Sequence, residues 1–162
     1  MSFVKSGVMA LALSVAALTP QITFAQAAPV AVSGTSLEAI IAACSLTDPA
    51  ACAAAVQAAL ATLAAANPGV PVEALLGALM AEVASSGNAA IAAGNTQLAA
   101  AMAAAAGALA TAASNAGVSP AIVATYQQVS TAFASNQGVD LTLVNEVTNT
   151  PTTAPDTNAS TI

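Results

Sequence analysis

The chain has 162 residues, a formal net charge of −6 and 57% hydrophobic residues, with Lys5 its only basic side chain. Without Arg or His it cannot neutralise a phosphate backbone or an anionic lipid surface, so nucleic-acid binding and charge-driven membrane binding are excluded. The length fits one domain. Much of the apolar content is alanine, which buries little area per residue, so a modest set of Leu, Ile, Val and Met must build the core.

Residues 1–27 read as a secretory signal peptide. Lys5 gives the positive start, residues 7–18 the apolar run, and Pro20 the break. Small-x-small cleavage sites follow Ala25 and Ala27. The apolar run is short for a membrane span. The expectation is therefore export, to the periplasm or the medium, with no membrane span after cleavage. Residues 28–34 are expected to be a flexible lead-in, and residues 35–147 an alanine-rich helical domain.

The first helical segment starts at Thr35 or Ser36, where Thr35-Ser36-Leu37-Glu38 forms a capping box. Leu37, Ile40, Ile41 and Cys44 then recur on one helical face. Asp48-Pro49 opens the second segment, Asp as N-cap and Pro at the first helical position. Its stripe is Cys52, Val56, Leu60 and Leu63. Cys44 and Cys52 thus lie on the core-facing stripes of consecutive helices, and an even cysteine count in an oxidising compartment fits a disulfide between them. Free buried thiols and a redox or metal role are the alternatives. No cation is present to activate a thiolate, and no His to complete a metal site.

A third helix carries Val72, Leu75, Leu76, Leu79, Met80 and Val83 at 3/4 spacing, with Glu73 in its first turn. Ser85-Ser86-Gly87-Asn88 is expected to end it. A fourth, alanine-rich helix is expected from about Asn88 to Ser114, kinked or split at Gly94-Asn95-Thr96, with Ile91, Leu98, Met102 and Leu109 on a narrow stripe. It reads as a close-packed central helix of a bundle. A membrane span is the alternative by hydropathy. A superficial similarity to alanine-rich antifreeze helices fails because those carry Thr at a regular interval, which Thr96 and Thr111 do not reproduce.

Three corners share an Asn-x-Gly-Val pattern: Asn67-Pro68-Gly69-Val70, Asn115-Ala116-Gly117-Val118 and Asn136-Gln137-Gly138-Val139. In each, Gly is expected to take the left-handed conformation and Val to pack back on the helix. The fifth helix runs from Pro120 to about Asn136 with Ser119 as N-cap. Its stripe is Ile122, Tyr126, Val129 and Phe133. Tyr126 and Phe133 are either core fillers or the lining of a ligand cleft. Asp140 caps a short final helical element, and residues 148–162 read as a disordered Thr/Pro/Asn tail.

Beyond Lys5, which falls in the expected signal peptide, the chain has no His or Lys to act as the base of nucleophilic catalysis, and it lacks zinc-binding clusters and phosphate-cradling loops. A carboxylate pair drawn from Glu38, Glu73 and Glu82 is the remaining option, and capping or helix dipoles account for the first two. No enzyme activity, cofactor or metal is expected. The expected fold is all-α, a small up-and-down bundle of about five helices. The composition resembles, generically, that of small exported proteins of Gram-negative bacteria, a likeness that carries no function. The expected role is a non-catalytic structural or protein-interaction protein of the bacterial envelope, acting through a protein partner or self-association. The alternative is a periplasmic carrier holding a small apolar ligand between helices.

Overall fold

A computed structural model describes residues 30, 34–45 and 48–144. The signal peptide expected over 1–27 and the tail expected over 148–162 lie outside the described residues. The fold is all-α: α1 (Gly34–Cys44), α2 (Pro49–Ala66), α3 (Val72–Ala92), α4 (Thr96–Asn115) and α5 (Pro120–Ala134). Residues 141–144 add a helical turn. α4 sits at the centre and touches each of the other four helices, α5 most extensively.

Alanine explains that central place. Ala99, Ala101, Ala103, Ala105, Ala106, Ala110 and Ala113 are all buried on α4. Larger side chains on so many faces would hold the neighbouring helices off. Ala has the best helix propensity and lets backbones approach, so close packing compensates for its small area. At the α4–α5 contact the Ser130 hydroxyl donates to the Ala103 carbonyl at 2.8 Å and lies over Gly107. α4 adds Met102 and Leu109, and the rest of the larger core residues come from the neighbours, among them Ile40, Val56, Leu75, Leu76, Met80, Tyr126 and Phe133, each at most 1% exposed. Val72, expected on the apolar stripe of α3, is 49% exposed because it is the first helical residue, at the surface end of the helix.

The corners follow local chemistry. Asp48 caps α2, its carboxylate accepting from Ala50 N at 2.9 Å, with Pro49 opening the helix. Asn67-Pro68-Gly69-Val70 is a β-turn with Gly69 at φ 87° and Val70 N donating to Asn67 O at 3.2 Å. α3 ends in a Schellman motif: Gly94 at φ 67°, Asn95 N on Ala90 O at 2.8 Å and Gly94 N on Ile91 O at 2.9 Å. Gly117, at φ 73°, ends α4 the same way. Val70, Val118 and Val139 all pack against the core.

The structure corrects several expectations. α3 does not stop at Ser85-Ser86-Gly87-Asn88 but runs to Ala92, and α4 begins at Thr96 with Asn95 as its cap, Leu98 N donating to Asn95 Oδ1 at 3.0 Å. Gly87 and Asn88 serve tertiary contacts instead. The Phe133 ring lies where a Cβ on Gly87 would be, and Asn88 bonds the backbone of Val139. Ile91 therefore belongs to α3. At the end of α5 the left-handed residue is Asn136, at φ 54°, not Gly138. Ser119 stands at the N-cap of α5 but its side chain makes no capping bond. α1 includes Gly34, slightly before the expected start. Val30, in the expected lead-in, is partly buried against the core.

Candidate interaction surface

Cys44 ends α1 and Cys52 lies in the first turn of α2. They form a disulfide, with Cα atoms 4.4 Å apart and the pair nearly buried. No described cysteine is free. The bond fixes α1 against α2 and shapes the surface the two helices share.

Tyr126 and Phe133 lie in the core, 0% and 1% exposed, and neither lines the groove between α1 and α2 or the one between α5 and residues 139–144. The Tyr126 hydroxyl is buried with no hydrogen-bond partner among the described residues. Burial drives its phenol well above the ordinary range, and the negative charge of Glu73 pushes the same way. The hydroxyl therefore stays protonated and is unsuited to act as a base.

The carboxylates are dispersed along the chain. Glu38, Asp48, Glu82 and Asp140 are exposed, and Glu73 is partly buried in the first turn of α3. Among the described residues no three of His, Cys, Asp or Glu come together. Asp140 accepts from both the hydroxyl of Thr142, at 2.7 Å, and its backbone N–H, at 2.9 Å. These bonds, the hydroxyl's first, hold its carboxyl below the usual range. This is a local cap for the helical turn at 141–144.

The unusual surface is that of α2. By length and composition α2, α3 and α4 could each cross a membrane. Half of the most apolar window of α3 and of α4 is buried (50% each), but only 22% of that of α2. The stretch between Asp48 and Glu73 carries no charge. Ala54, Gln57, Ala58, Ala61, Thr62, Ala64 and Ala65 are exposed on it. The one hydroxyl among them is turned inward, Thr62 Oγ1 donating to Ala58 O at 2.9 Å. Where α1 and α2 meet, Ser36, Ala39, Ala55, Ala58, Ala59 and Thr62 line an open groove of about 260 Å³. The outcome is a smooth, charge-free helical face made of small side chains.

Sequence reading located Cys44, Cys52 and the aromatic stripe. It missed the pairing of Asn88 with Val139, 51 residues away, because an Asn after Gly looks like a helix stop. It also missed the exposure of α2, since a pattern of alanines has no polar face to mark the solvent side. No protein-family model, curated protein or solved structure matches the chain at a significant level.

Proposed function

We propose that this is a non-catalytic exported protein of the bacterial envelope that works by docking a protein partner through the exposed face of α2 and the adjoining edge of α1. We read the helices as an up-and-down bundle of about five, reached after signal cleavage behind Ala25 or Ala27. The observation that carries the proposal is that α2 is apolar on nearly all sides, uncharged over its whole length and mostly uncovered. A helix apolar all round is normally buried. Charge depletion marks the centres of protein interfaces, and small side chains allow a second helix to lie close. The hydroxyl of Thr62, already satisfied by its own backbone, would not need a partner to replace lost water.

The carrier reading is weaker. The two aromatics that would line a cleft fill the core instead. A sequence with no Arg or His, and with Lys5 as its one basic side chain, is the basis for reading the role as non-catalytic.

The test is native mass spectrometry of the protein from the envelope and medium of its own host, as wild type and as Ala58→Glu or Ala61→Glu. Both positions are exposed and a helix accepts Glu, so the variants should keep the wild-type fold by circular dichroism. The wild type is expected to carry an associated polypeptide that each variant loses. A bare wild-type monomer in every fraction would sink the docking proposal. A monomer with a reproducible small-molecule adduct would favour the carrier.

A further inference from the structure

The five helices are not held alike. Among the described residues α1 buries Ile40 and Cys44, whereas α2 and α5 bury four each and α3 and α4 nine each. Leu37 and Ile41 add partly buried contact. The 11 residues of α1 are also too few to hold a helix on their own in water, where even about 12–15 are marginal. The place of α1 therefore depends on what ties it down, and one of its two buried positions is the disulfide itself. The sulfur pair is nearly enclosed, with Cys44 6% and Cys52 3% exposed, so a thiol reaches it when α1 lifts. The groove of about 260 Å³ straddles the same joint. Ser36 and Ala39 form its wall on α1, and Ala55, Ala58, Ala59 and Thr62 its wall on α2.

We infer that the Cys44–Cys52 bond is a redox latch on the docking face. Oxidised, it holds the α1 wall of the groove against α2; reduced, it lets that wall open. The inference rests on the docking reading and adds its regulation. The reductant is a dithiol. One of its thiolates attacks one sulfur of the pair, which breaks the Cys44–Cys52 bond and forms a mixed disulfide. Its second thiolate then displaces the protein sulfur. Two electrons and two protons pass to the chain, which gains two thiols, and the reductant leaves as a disulfide. A disulfide oxidant runs the same steps in reverse. Ile40, fully buried, reseats α1 after reduction, so the change is a reversible shift in population. A partner that needs both walls binds the closed fraction alone, and its apparent affinity falls by that fraction. α3, α4 and α5 keep their own buried faces and stay folded throughout.

The test compares the full chain oxidised, reduced with dithiothreitol, and as Cys44→Ser with Cys52→Ser. In hydrogen exchange the amides of residues 38–44 should exchange on the order of tenfold faster in the reduced chain and in the double variant, with those of α3, α4 and α5 unchanged. The probe for docking is the polypeptide that native mass spectrometry finds on the oxidised wild type. Its dissociation constant should rise on the order of tenfold for both forms that lack the bond. The double variant needs no reductant, so its agreement with the reduced chain excludes an effect of dithiothreitol on the polypeptide. Equal protection of α1 in all three forms overturns the inference. So does protection lost from every helix at once, since the bond would then staple the whole fold. A polypeptide held equally with and without the bond overturns it too, and leaves the docking proposal standing. No polypeptide on the oxidised chain overturns both.

Discussion

At Gly87 the packing leaves no room for a side chain. The Phe133 ring lies over it, so Gly87→Ala should destabilise the fold by about 1–3 kcal/mol, read from urea unfolding. Adding Phe133→Leu should recover part of that loss, because the two residues share one space. Tyr126 poses the opposite case. Its hydroxyl is buried and unpaired among the described residues. Tyr126→Phe should leave stability unchanged or raise it by about 1 kcal/mol at neutral pH. The phenol holds its proton more tightly folded than unfolded. Below about pH 10 neither state ionises and the residue adds no pH dependence. Above that the unfolded chain ionises first, so wild-type stability should fall with rising pH. Urea midpoints on either side of pH ~10 should show that fall in the wild type and a shallower one in Tyr126→Phe.

Single elements were legible where their signals are self-contained. Asp48-Pro49 needs only its own next residues to cap α2, and Gly69 and Gly117 need only their own φ to turn the chain. The stripe of α5 gave Ile122, Tyr126, Val129 and Phe133, all buried. The boundary of α3 and α4 was not legible. Ser85-Ser86-Gly87-Asn88 has the composition of a stop, and what makes it helix is Phe133 and Val139, which arrive from far along the chain. The true end, at Gly94, was legible only as a kink. Gly94→Ala should cost about 1–2 kcal/mol, measured as a lower Tm, since alanine must take a left-handed φ there. The same logic explains the end of α5. Asn tolerates that conformation, so the turn falls at Asn136, ahead of the glycine.

The molecule as a whole is a set of helices closed around α4. That central role was readable in the alanine content, because few other side chains permit contact on so many sides. Which alanines face out was not readable, since those of α2 and α4 are chemically the same. The Cys44–Cys52 bond ties α1 to this assembly. Cys44→Ser with Cys52→Ser should lower stability by about 2–3 kcal/mol, with amides of α1 losing exchange protection before those of α4. Ile40, fully buried, is the apolar anchor that keeps α1 in place once the covalent one is gone. The solitary Tyr126 has one more consequence. The sequence has one tyrosine and no tryptophan. Its ultraviolet emission and near-ultraviolet dichroism therefore originate chiefly at one ring in the centre of the core. The protein carries its own optical gauge, which reports loss of interior packing and is blind to fraying at the surface.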